Sequence, residues 1–136
     1  MKVFWDTNVF IYLLEKHPTY YPKVRALYHE HRDRGDQLVT SALTLGELLA
    51  QPLRCGREDL AQRYRQLLGQ SKSIELVLFD QIAAEHYARI RAATSLRQPD
   101  ALQLACAASA GASTFVTNDQ LLWSVRVPGI ETIRGL

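Results

Sequence analysis

Val3-Phe4-Trp5-Asp6-Thr7-Asn8-Val9-Phe10-Ile11-Tyr12-Leu13-Leu14 is the most hydrophobic run of the chain, and a carboxylate sits in its middle. Burying a carboxylate is costly unless it is hydrogen-bonded, paired with a cation or bound to a metal. Residues 2–5 read as a short buried strand and residues 8–14 as a buried helix. Asp6-Thr7-Asn8 therefore falls at a turn from strand to helix. In parallel α/β proteins such turns lie at the carboxyl edge of the sheet, where ligands bind.

Outward from this run the alternation repeats. A helix is expected over residues 19–34, with Val24, Leu27 and Tyr28 at helical spacing and Gly35-Asp36 ending it. Residues 37–40 read as a strand, and residues 41–50 as a helix stopped by Pro52. Residues 57–68 form an amphipathic helix with Leu60, Tyr64, Leu67 and Leu68 on one face, and residues 74–79 a strand. A helix over 81–93, one from Pro99 to near Gly111, a strand over 114–117, a helical turn over 120–124 and a last strand near 129–133 complete the chain. Short apolar strands separated by helices predict an α/β fold with a mainly parallel sheet and helices on both faces. Right-handed crossovers then put every strand-to-helix turn on one edge.

The 136 residues contain no repeat, low-complexity tract or linker, so residues 1–136 read as a single domain. A composition of 47% hydrophobic and 22% charged residues is that of an ordinary globular protein. The net charge of +2 is too small to argue for nucleic acid by itself. Arg54, Arg57, Arg63, Arg65 and Arg89, Arg91, Arg97 cluster, but read mostly as solvated helix faces. Cys55 and Cys106 are too few and too isolated for a disulfide framework or a zinc site, and Cys106 reads as a small buried hydrophobe. His29 and His31, two residues apart on a charged helix, point in different directions and read as solvent-facing. With no signal peptide ahead of the first strand and no apolar run long enough to cross a bilayer, a cytoplasmic, reduced protein without membrane contact is expected.

Four acids lie next to strongly apolar sequence: Asp6, Glu47, Asp100 and Asp119. Each has a purely structural reading. Asp6 and Asp119 fit helix N-caps, and Asp100 after Pro99 complements a helix dipole. Thr44-Leu45-Gly46-Glu47 matches a capping box. Together they weigh differently, because three of them follow or open elements at the predicted carboxyl edge and Glu47 lies one or two turns into a helix that starts there. Asp33, Asp36, Glu58, Asp59 and Glu85 lie in polar stretches and read as surface. Four converging carboxylates repel and raise one another's pKa values. A hard divalent cation removes that difficulty, and oxygen-only ligation suits Mg²⁺ or Mn²⁺ with waters completing an octahedron. Such a centre suits phosphoryl chemistry.

In Val3-Phe4-Trp5-Asp6-Thr7-Asn8, Thr44-Leu45-Gly46-Glu47-Leu48, Pro99-Asp100-Ala101-Leu102-Gln103-Leu104-Ala105 and Phe115-Val116-Thr117-Asn118-Asp119 the chain resembles the PIN-domain ribonucleases, and among them the VapC-type toxins of toxin–antitoxin pairs. The segments occur in the family's order and span nearly the whole chain. The resemblance implies a three-layer α/β/α sandwich and an acidic metal site made of Asp6, Glu47, Asp100 and Asp119. It implies Asp6 and Asp100 as direct ligands, Asp119 as a direct or water-mediated one, and Glu47 as outer ligand or base. Thr117, Asn8 and Asn118 match the polar residues around such a site, with Asn118 equally readable as a turn former. The resemblance further implies Mg²⁺, with Mn²⁺ as substitute, an RNA substrate cut to a 5′-phosphate and a 3′-hydroxyl, a protein antitoxin and a homodimer.

Family antitoxins cover the acidic groove, often with an Arg against the carboxylates. Leu48, Tyr12, Tyr20, Tyr21 and Trp123 are candidates for its wall, with core packing as the competing reading. Arg54, Arg57 and Arg97 are candidates for RNA backbone contacts. One alternative is a catalytically silent PIN-like module that binds RNA or protein; its signature, a lost acid, is absent. Another is an aspartyl phosphatase, disfavoured because Asn8 stands where the second Asp is needed and no suitable lysine accompanies it.

Overall fold

β1 (Lys2–Trp5) takes the central place in a five-stranded, all-parallel sheet in the computed structural model, which describes residues 1–136. Around it lie β2 (Gln37–Ser41), β3 (Ile74–Val77), β4 (Thr114–Val116) and β5 (Thr132–Arg134), in the order β3-β2-β1-β4-β5. Val3 stands opposite Leu38 on one side and Thr114 on the other, and Phe4 opposite Val39 and Phe115. A strand buried on both faces needs apolar residues at every position, which Val3-Phe4-Trp5 supplies.

Alternation along the strands divides these residues between two cores. Val3, Trp5, Leu38 and Val116 face the first, which α1 (Thr7–Leu14), α2 (Tyr21–Arg34), α3 (Ala42–Arg54) and α4 (Glu58–Tyr64) complete with Phe10, Leu27, Leu48 and Tyr64. Phe4, Val39 and Phe115 face the second, closed by Ile90 of α5 (Gln81–Ala93) and by Leu104, Ala105 and Cys106 of α6 (Gln98–Ser109). Phe4 and Phe115 stack there with centroids 5.1 Å apart. The result is the expected three-layer α/β/α sandwich.

Several boundaries differ from the sequence expectation for local reasons. Pro52 does not stop α3, which runs on to Arg54 with the proline ring buried in its last turn. Pro52 cannot donate to the Leu48 carbonyl, and the helix ends only two residues later. The helix expected over 57–68 is α4 continued by a π-helical turn, Arg65–Gln70, which keeps both Tyr64 and Leu68 buried. β3 ends at Val77 because Val77 pairs with Ser41, the last residue of β2; Leu78 and Phe79 run past it and are exposed. β5 begins at Thr132, opposite Thr114, because Ile130 closes a turn onto the Val127 carbonyl.

Two polar residues read as surface have side chains hidden from solvent. His31 continues the Val24–Leu27 stripe of α2 at the next turn and is 2% exposed, against the expectation of a solvent-facing ring. Its Nδ1 lies 3.1 Å from Asp36, whose side chain is only 4% exposed and also accepts from Arg34 at 2.8 Å and from the terminal ammonium at 3.3 Å. Burial by itself raises the Asp36 pKa, but the bonds from Arg34, His31 and the ammonium outweigh it and hold it below the usual carboxylate range. Burial lowers the His31 pKa, and Asp36 only partly offsets this. Both groups are therefore harder to protonate folded than unfolded, so each contributes stability that acidification removes. The difference in unfolding free energy between wild type and His31→Gln, from urea titration, is expected to shift against the wild type as pH drops below about 6.5, the ordinary histidine value.

Candidate functional site

Asp6 leaves β1 in extended conformation, and its N–H still donates to the Val116 carbonyl at 2.9 Å. The turn is thus tied to the end of β4 before α1 begins. The carboxylate has two separate partners: Oδ1 accepts from the Thr7 N–H at 2.8 Å, capping α1, and Oδ2 accepts from Thr117 Oγ1 at 2.8 Å. Thr117 is wholly buried just beyond β4. Its hydroxyl in turn accepts from the Asp119 N–H at 3.1 Å and from Asn8 Nδ2 at 3.4 Å. Asn8 Oδ1 accepts from the Asn118 N–H at 3.3 Å, and Asn118 Nδ2 donates to Tyr12 OH at 3.1 Å. One threonine hydroxyl therefore joins the first and last of the predicted acids. Asp119 also caps the short 3₁₀ turn Gln120–Leu122 through the Leu121 N–H.

Glu47 does not close a capping box on Thr44. The cap of α3 is Ser41, whose Oγ accepts from the Thr44 N–H at 3.2 Å, so Glu47 lies a turn too deep to reach back. It accepts instead from Thr7 Oγ1 at 3.0 Å, and more weakly from Gln103 Nε2 at 3.5 Å. Gln103 is 3% exposed and ties the site together. It accepts from Ser41 Oγ and donates to Thr44 Oγ1 at 2.8 Å, linking α6 to the start of α3. Sequence reasoning missed it as a site residue, although the signal was present. An amide interrupts the apolar run of α6 three residues after Asp100, the spacing that puts both on one helix face.

Asp100 occupies the first turn of α6, with Arg97 just ahead of it. Nε and Nη2 of Arg97 each lie 3.4 Å from Asp100 Oδ2. Asp6, Glu47, Asp100 and Asp119 all line one cleft of about 300 Å³, together with Asn8, Gln103 and Arg97. Of the three arginines considered for RNA contacts, only Arg97 is there; Arg57 pairs with Asp59 at 3.0 Å in the adjoining groove, and Arg54 lines neither. That groove shares Ile11 and Glu47 with the cleft and is walled by Leu48, Pro52, Leu60 and Tyr64. Leu48 is also a core residue. Tyr12 and Tyr20 stack at 4.7 Å, and Trp123, 41% exposed, donates its indole N–H to the Thr117 carbonyl at 2.9 Å.

The Asp6 pKa is pushed up to about 6. Burial is the main cause; the bonds from Thr117 and Thr7 pull it back, and the Glu47 and Asp100 carboxylates raise it further. The donors are oxygens throughout, without His or Cys, which fits a hard divalent cation and not zinc. No three Asp, Glu, His or Cys side chains are grouped closely enough to hold an ion among them as they stand.

A family model described as the PIN domain matches residues 3–126. Among solved structures, the chain is similar to VapBC2 from Rickettsia felis bound to a DNA fragment of its promoter, with a TM-score of 0.74 and 20% identity over 100% of this chain and 99% of that one. DNA-bound VapBC from Salmonella typhimurium gives a TM-score of 0.72 and 24% identity, over 99% of this chain and 98% of that one. The sarcin–ricin-loop-cleaving toxin VapC20 of Mycobacterium tuberculosis gives 0.66 and 16%, over 83% and 86%. At these identities the likeness is one of fold. No curated protein matches the chain.

Since the Thr117 bond lowers the Asp6 pKa, the Thr117→Val variant is expected to titrate Asp6 above about 6, as read from its carboxyl ¹³C chemical shift.

Proposed function

The chain belongs to the PIN domain family, and from that membership we propose that it is a divalent-cation-dependent endoribonuclease, the toxin of a VapBC-type toxin–antitoxin pair. The observation that carries this reading is the meeting of Asp6, Glu47, Asp100 and Asp119 in one cleft, with the Asp6 pKa raised in part by its acidic neighbours. A buried carboxylate held among acidic neighbours makes chemical sense beside a cation.

Asp6, Asp100 and Asp119 would hold Mg²⁺, with Mn²⁺ as substitute, Asp119 directly or through water. Such an ion orients a phosphodiester, lowers the pKa of a bound water and neutralises charge on the leaving oxygen. The side chains supply the rest. Thr117 and the Thr7 N–H occupy one lone pair on each Asp6 oxygen and leave the others for the cleft. Glu47, oriented by Thr7 and Gln103, is placed to take the proton of the attacking water. Asn8 and Asn118 brace the Thr117 turn. In-line attack of water on phosphorus breaks the bond to the 3′ oxygen and leaves a 5′-phosphate and a 3′-hydroxyl.

Residues 1–136 would act as one nuclease unit, working as a cytoplasmic homodimer. The partner is a protein antitoxin, in keeping with the VapBC complexes of like fold. The apolar groove of Ile11, Leu48, Pro52 and Leu60 beside the cleft suits its tail. No helix is long and apolar enough to cross a membrane.

Asp6→Asn and Asp100→Asn are each expected to cut the rate on a panel of structured RNAs with Mg²⁺ or Mn²⁺ by more than about 100-fold while preserving the circular dichroism spectrum. Undiminished cleavage by folded variants would overturn the assignment. Protons compete with the cation at Asp6, so Mn²⁺ affinity from calorimetry should rise with pH, by up to about tenfold per unit below pH 6, and level off above it.

A further inference from the structure

Arg97 is the only cationic side chain lining a cleft of four carboxylates, and it is held unlike any other polar group there. Thr117 and Gln103 are buried, each with several partners. The Arg97 side chain is 75% exposed, and its polar partner is Asp100 Oδ2, 3.4 Å from both Nε and Nη2. That distance is beyond the usual N–H···O range, so the guanidinium is held loosely. Its stem is not loose. Residue 97 is extended at the N-cap of α6, whose second residue is Pro99, so the side chain is rooted at the mouth of the cleft within one turn of Asp100.

A cation seated on Asp100 competes for the same oxygen and repels the guanidinium. The displaced fork carries five donors matched to phosphate oxygens. We infer that Arg97 has two alternating ligands: it occupies Asp100 as a placeholder when the site holds no ion, and moves to a phosphodiester of the RNA when the ion is bound. This rests on the divalent-ion nuclease reading. It makes the cleft near-neutral at Asp100 when free, and couples ion binding to the release of an RNA ligand.

The test measures Mn²⁺ binding without RNA, by calorimetry, in wild type, Arg97→Gln and Arg97→Lys. Arg97→Gln should bind Mn²⁺ about two- to fivefold more tightly, the scale of an exposed ion pair, while Arg97→Lys stays within about twofold of wild type. Because Arg97 is largely exposed, all three should melt within a few degrees of one another. In a Glu47→Gln background, which removes the base and keeps the ion's ligands, anisotropy of a labelled mixed-sequence single-stranded RNA with Mn²⁺ at several salt concentrations should show the added Arg97→Gln change weakening binding and reducing the salt slope by about one. Equal or weaker Mn²⁺ binding by Arg97→Gln, or an unchanged salt slope, would overturn the inference and leave the nuclease reading standing. A wild type that binds no Mn²⁺ would overturn both.

Discussion

The bond from the Thr117 hydroxyl to Asp6 is the contact on which the site depends. β1 and β4 are neighbours in the sheet, and the Asp6 N–H extends their ladder by one step onto Val116. Beyond that step the two chains diverge, one into α1 and the other into the 3₁₀ turn. The Thr117 side chain bridges the gap at 2.8 Å and accepts the Asp119 N–H in return. A threonine suits the position because a hydroxyl both donates and accepts. Its burial keeps water from competing for the bond.

That contact does not make the site stable. An Asp6 carboxyl with a pKa of about 6 instead of 3.8 favours the fold only when protonated, so at neutral pH its charge costs roughly 3 kcal/mol. An exposed ion pair such as Arg97–Asp100 contributes at most about 1 kcal/mol, too little to offset it. The balance comes from the two cores, in which Trp5, Phe4, Phe10 and Phe115 are wholly buried directly under the turn or beside it. The protein thus holds a destabilising carboxylate, in the company of other acids, at the edge of a well-packed sheet.

Much of this was legible in the sequence. The apolar run 3–14 marked the central strand and the first helix, and alternation along the chain led to a parallel sheet with helices on both sides. Asp6 and Asp119 lie just past parallel strands and Glu47 in the helix after β2, as right-handed crossovers place such turns together, whereas Asp100 opens α6 after another helix, where that rule does not reach. The misreadings were of residues whose environment differs from that of their sequence neighbours. Asp36 sits in a polar stretch, yet the amino terminus, Arg34 and His31 surround it. His31 was judged by the charge of its segment, although it stands seven residues after Val24, on the same stripe. Pro52 reads as a helix stop because a missing N–H is costly, but at the last turn of α3 few bonds remain to be lost.

The sequence by itself determined the layers, the strand directions and the carboxyl edge on which the acids would lie, because periodicity and apolar runs report burial, a property of each segment. Only the tertiary structure decided which donors face those acids. Gln103 joins α6 to the start of α3, Thr7 turns to Glu47 and Arg97 rests on Asp100. Such pairings depend on side-chain directions where three separate segments meet. A difference of an ångström or two between segments distant in sequence decides whether a polar group is a ligand, a brace or a cap, and no local pattern records that distance.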